Sequence, residues 1–129
     1  MADDRPQAAP YVLVVDDAPE VCALICEILQ AEGYRTRALY SGTSALALAP
    51  TERPALVLLD IYLPDLDGYT VASRLRALPG LAHTPIIFIT GADAPVHSTL
   101  SRGLGAVYLK KPFTTAQLLR AVGQALRGV

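Results

Sequence analysis

The sequence predicts an α/β domain: five parallel strands in one doubly wound sheet, with helices on both faces. One observation is the run Leu56-Val57-Leu58-Leu59, which ends abruptly on Asp60. A continuous apolar run reads as a strand buried on both faces, and such strands belong to parallel sheets. Another is the recurrence of this pattern at Tyr11–Val15 and Pro85–Ile89, with stretches of helical spacing between. Strands alternating with helices imply a parallel sheet covered on both sides. The chain has 129 residues, 52% hydrophobic and 18% charged. That suffices for one domain with its own core.

Met1–Pro10 is polar and reads as a flexible N-terminal tail, leaving 11–129 as one domain. Tyr11–Val15 is the first strand, followed by Asp16-Asp17. Pro19 suits a first helical turn, and Val21, Leu24, Ile25, Ile28 and Leu29 follow helical spacing until Gly33. Tyr34–Leu39 alternates arginines with smaller residues, as an exposed edge strand does. Ser41 is expected to cap a helix running to Ala49, with Pro50 as its stop. Ala55–Asp60 is the buried strand, and Asp67 caps a helix over Tyr69–Leu78 with Val71, Leu75 and Leu78 facing inward. Pro85–Ile89 runs to Thr90, and Pro95–Arg102 is a short, weakly patterned helix. Ala106–Leu109 is the last strand, before Lys110-Lys111-Pro112. Thr114 or Thr115 caps a final helix with Leu118, Leu119, Val122 and Leu126 on one face. Right-handed crossovers leave few topologies. The flavodoxin-like order 2-1-3-4-5 makes the arginine-bearing second strand and the Pro-terminated fifth strand the edges.

Net charge is −1. It gives no bulk electrostatic support for binding nucleic acid or an anionic membrane. No apolar run approaches the roughly 20 residues of a membrane helix, and the start is no signal peptide, so a cytoplasmic location is expected. Cys22 and Cys26 sit four apart without further Cys or His nearby, which suits helix burial and not zinc.

In an open parallel sheet, ligands bind outside the carboxyl ends of the strands, at the point where strand order reverses. Here that point lies between the first and third strands and collects Asp16, Asp17 and Asp60. On its own Asp16-Asp17 reads equally as a helix cap; Asp60 at the neighbouring strand end favours metal binding. Three carboxylates repel and call for a cation, and hard oxygen ligands favour Mg²⁺ over zinc. Thr90 adds a hydroxyl and Lys111 an ammonium. Together they suit a phosphoryl group, and the absence of a Gly-rich phosphate loop argues against a tightly held nucleotide.

The motifs Val14-Val15-Asp16-Asp17, Leu58-Leu59-Asp60 through Asp67-Gly68, Ile89-Thr90-Gly91 and Gly105 through Lys111-Pro112-Phe113 resemble the response-regulator receiver domain of two-component signalling. The resemblance extends from Tyr11 to about Arg127. It implies that Asp60 accepts a phosphoryl group from a histidine kinase or phosphotransfer protein. It implies Mg²⁺ at Asp17, Asp60 and the Tyr62 carbonyl, with Asp16 acting largely through water. Thr90 would be the switch hydroxyl, Lys111 the partner of the phosphoryl group, Tyr108 the switching aromatic, and Lys111-Pro112 a cis bond. Output would be a changed affinity for a downstream target protein, from a monomer or weak homodimer, without direct nucleic-acid or membrane binding and without enzymatic turnover.

The sequence departs from the family pattern in places. Leu63 stands where methionine is common. Tyr62 and Ala92 occupy the two positions that tune phosphoryl lifetime in the family, and neither offers a carboxylate or amide to steer water. A phosphoryl group that is not especially short-lived is the expectation. Ala106-Val107 replaces the usual acidic residue before Tyr108, against the charged dimer interface of DNA-binding relatives. A hydrolase of the haloacid dehalogenase type would need an aspartate where Tyr62 stands. A binding module that is never phosphorylated would not need the full set Asp16, Asp17, Asp60, Thr90 and Lys111. The sequence is also compatible with a receiver cut from a longer regulator or hybrid kinase.

Overall fold

A computed structural model describes residues 9–91 and 107–127. Within them β1 (Tyr11–Val15), β2 (Arg35–Leu39), β3 (Leu56–Asp60), β4 (Ile86–Thr90) and β5 (Val107–Lys110) form one parallel sheet in the order β2-β1-β3-β4-β5. The described helices are α1 (Pro19–Ala31), α2 (Gly42–Glu52), α3 (Gly68–Arg76) and α4 (Thr115–Arg127). The predicted flavodoxin-like order is the observed one. Strand ends differ from expectation by a residue or so. The helix expected at Pro95–Arg102, together with Ala92 and the Ala106 strand start, lies outside the described residues.

The continuous apolar runs resolve into two cores because alternate strand residues point to opposite faces. Leu13, Val15, Val57, Leu59 and Phe88 pack with Ala45 and Ala49 of α2 and Val71 and Leu75 of α3. Val12, Val14, Leu58, Ile87 and Ile89 pack with Cys22, Ile25 and Leu29 of α1 and Leu118 and Val122 of α4. Strands β3 and β4 are buried along their whole length, whereas β2 and β5 are only partly covered, as edge strands.

The helix ends follow local chemistry. Pro19 opens α1, and Gly33 ends its turn at φ 93°, a backbone conformation that suits glycine. Asp67 caps α3 by accepting from Thr70 N–H, and Thr114 and Gln117 cap α4 reciprocally. Ser41 caps α2 by accepting from Ser44 N–H.

One expectation needs correction. Pro50 does not stop α2 but lies inside it. It removes a single N–H in the last turns, and helical bonding resumes where Arg53 N–H reaches the Ala49 carbonyl at 2.8 Å. Leu24 lies in α1 as its spacing predicts and is 54% exposed. Phe113 packs against the second core only partly buried.

These packing differences predict a contrast measurable by urea unfolding. Ile87→Ala should lower the unfolding free energy by about 2–5 kcal/mol, the cost of a cavity in a well-packed core. Leu24→Ala should change it by no more than about 0.5 kcal/mol.

Candidate functional site

Register brings the acids together. Val15 of β1 pairs with Leu59 of β3, so the residues that follow, Asp16 and Asp60, leave the sheet side by side. Asp16 is fully buried, Asp60 is 7% exposed, and Asp17 is open to solvent. One carboxylate oxygen from each of Asp16, Asp17 and Asp60 lies within 4.8 Å of the others. The neighbouring strand ends add Thr90, fully buried, and Lys111, whose N–H donates to the Thr90 carbonyl at 2.7 Å.

Each acid is held by a specific donor. Asp16 Oδ1 accepts from Ala18 N–H at 2.9 Å, and Asp60 Oδ1 accepts from Tyr62 N–H at 3.1 Å. Thus Asp16 also serves the start of α1, as its position allowed. Lys111 Nζ donates to Asp16 Oδ2 at 2.8 Å and stands 3.6 Å from Asp60 Oδ2. The Lys111-Pro112 peptide is cis. Lys110 points to solvent. Burial pushes the Asp60 carboxyl above its ordinary value, and the charges of Asp16 and Asp17 push the same way, against Tyr62 N–H and Lys111. Burial alone would lower the Lys111 ammonium, but its contact with Asp16 and the charge of Asp60 outweigh this and raise it.

The donor set fits a hard divalent cation. Three carboxylates converge and one lysine ammonium offsets them, which leaves excess negative charge in a largely buried crevice. No sulfur or imidazole belongs to the cluster, so oxygen-seeking Mg²⁺ suits it better than zinc. An open cleft of about 260 Å³ adjoins it, lined by Asp17 and residues 61–67. The Tyr62 side chain is 57% exposed at this cleft.

The hydroxyl of Thr90 donates to the Gly91 carbonyl at 3.1 Å. Tyr108 lies half-buried, with its ring stacked on Phe88 at 5.6 Å and its hydroxyl 2.8 Å from that of Tyr69. Tyr69 in turn packs on Phe88 at 4.9 Å. Sequence reasoning missed Tyr69, which it placed only as the first residue of a helix. It also missed the reach of Asp65. Asp65 accepts from Gly42 and Thr43 N–H at the start of α2. Those donors, Thr43 foremost, hold its carboxyl well below the usual range. No local spacing signals either contact, because both partners are distant in sequence.

Gly68 shows how tightly the loop after β3 is folded back. A Cβ there would lie 2.5 Å from the Asp60 carbonyl oxygen and 2.7 Å from Ile61 Cα. Glycine at this position lets α3 start directly against the backbone at the end of β3.

Known proteins resemble the chain over most of its length. The family description response regulator receiver domain matches residues 12–123. A receiver domain protein, CheY-like, from Methanospirillum hungatei superposes with a TM-score of 0.86 at 28% identity, covering 94% of this chain and 96% of that one. The receiver domain of a sensor histidine kinase from Pseudomonas aeruginosa, with a magnesium ion coordinated in its active site cleft, superposes at 0.83 with 30% identity over 93% and 99%. A Vibrio cholerae protein named as a probable cyclic di-GMP phosphodiesterase is 40% identical over 102 residues, 78% of this chain. The chain spans 23% of the length of that relative. The chain belongs to the response regulator receiver domain family. Such domains are parts of response regulators or histidine kinases.

The hydroxyl pair predicts a coupling. Tyr69→Phe and Tyr108→Phe should each cost about 0.5–1.5 kcal/mol of stability. The double variant should cost measurably less than the sum of the two, since one shared bond is removed once. Urea unfolding of the four proteins checks this.

Proposed function

We propose that the chain is a phosphoacceptor: Asp60 takes a phosphoryl group from a phosphohistidine of a histidine kinase or phosphotransfer protein. The observation that carries this reading is the place of Asp60 itself, at the end of a buried strand, between Asp16 and Asp17 on one side and Lys111 on the other. A carboxylate oxygen of Asp60 attacks phosphorus; the new P–O bond forms as the P–N bond to the donor imidazole breaks. Asp17, Asp60 and the Tyr62 carbonyl would hold Mg²⁺, with Asp16 beside them. When bound, the ion supplies positive charge that relieves the repulsion between these carboxylates and the incoming phosphoryl oxygens.

The chain's own groups do the rest. Lys111 Nζ, already within reach of Asp16 and Asp60, pairs with a phosphoryl oxygen. Thr90 turns its hydroxyl from the Gly91 carbonyl toward that group. This motion and the position of Tyr108 bias the surface around β5, which a downstream protein reads. The chain then works as a signalling module in the cytoplasm, through changed protein–protein binding, and not by turnover. No described helix is long and apolar enough to cross a membrane. Tyr62, exposed beside Asp60, offers no carboxylate or amide to steer water, so the acyl phosphate outlasts the seconds scale.

Intact-mass measurement after incubation with acetyl phosphate tests this. The native chain should gain one phosphoryl group with Mg²⁺ and none in EDTA, and Asp60→Ala should gain none. An adduct that survives in Asp60→Ala would contradict the assignment. Decay of the native adduct within seconds would contradict the role given to Tyr62.

A further inference from the structure

The loop leaving Asp60 carries the Tyr62 carbonyl, and its shape is held at three places. At the stem, Asp60 Oδ1 accepts from Tyr62 N–H. At the base, Tyr62 and Asp67 face each other as an antiparallel bridge, with Gly68 N–H donating to the Ile61 carbonyl at 2.6 Å. That bond uses the carbonyl of Ile61 and not that of Tyr62. At the tip, Asp65 reaches across to α2: Oδ1 accepts from Gly42 N–H at 2.9 Å and Oδ2 from Thr43 N–H at 2.8 Å. Oδ1 also accepts from Leu66 N–H at 3.0 Å, which orients the carboxylate from its own loop.

Gly42 is shaped to this contact. A Cβ there would meet Val71 Cγ2 at 2.7 Å and Asp65 Oδ1 at 3.3 Å. Two of the first N–H groups of α2 therefore bond a side chain 22 or 23 residues away, while Ser41 caps the next one, Ser44. The tether fixes the loop as much as the helix. Residues 61–67 and Asp17 line one open cleft, so the position of the loop sets how the Tyr62 carbonyl stands toward the acids.

We propose that Asp65 is a positioning residue for the metal site: by tying the loop tip to α2, it holds the Tyr62 carbonyl beside Asp17 and Asp60. The inference rests on the metal reading given above. Groups that orient metal ligands set affinity without touching the ion.

Calorimetric titration of the full chain with Mg²⁺, beside Asp65→Ala and Asp65→Asn, tests it. Thermal unfolding in EDTA measures separately what the tether contributes to α2. Asp65→Ala should weaken Mg²⁺ binding about 10-fold, and Asp65→Asn, which keeps Oδ1 as an acceptor, by less. The native-to-alanine ratio should persist in about 1 M salt, where the screening length is only about 3 Å. Affinity within about twofold of native, with a lowered melting temperature, would make Asp65 a helix cap alone. A ratio that collapses in high salt would assign the effect to an exposed charge acting at a distance. Both results overturn the inference and leave the metal reading standing. A native chain that binds no Mg²⁺ would overturn the metal reading and the inference with it.

Discussion

Three carboxylates, two of them buried, cannot crowd one crevice unless positive charge joins them. Asp16 and Asp60 are almost entirely withdrawn from water, and the lone ammonium of Lys111 is the cation in contact with them among the described residues. Burial raises the Asp60 carboxyl first of all, and the like charges of Asp16 and Asp17 push the same way. Among the described residues this crowding of acids occurs where strand order reverses and the sheet opens. Every other feature of the domain bears on keeping these groups in that position.

The sheet does this by burying its middle. β1, β3 and β4 are covered on both faces, so their ends are rigid platforms for Asp16, Asp60 and Thr90. The edges are where movement is affordable. β5 carries Tyr108 on its inner side and Lys111 at its end, which links the cleft to a partly exposed surface. The hydroxyl pair of Tyr69 and Tyr108 holds the aromatic inward in this structure, against Phe88. Phe88 is on the strand that ends at Thr90, so cleft and surface share one element.

Much of this was legible in the residues. Continuous apolar runs that end on acid locate β1 and β3 and the acidic crevice at their ends, and the arginines of β2 mark an edge. What escaped is non-local. Asp65 looks like any turn aspartate until α2 is brought against it, and Tyr69 looks like any helix start until β5 crosses nearby. Lys111 was expected beside Asp60, yet its shorter contact is with Asp16. Pro50 misled for another reason. A proline near a helix end removes too little bonding to stop the helix.

The charge imbalance of the cleft is the centre of the account, and stability measures it directly. Urea unfolding of the native chain should be compared in EDTA and in Mg²⁺, beside Asp17→Asn. A cation that binds only the folded cleft stabilises it by mass action, about 2.7 kcal/mol at roughly 100 times the dissociation constant. The account predicts such a gain for the native chain and a much smaller one for Asp17→Asn. Equal stability of the native chain in EDTA and in saturating Mg²⁺ would contradict it.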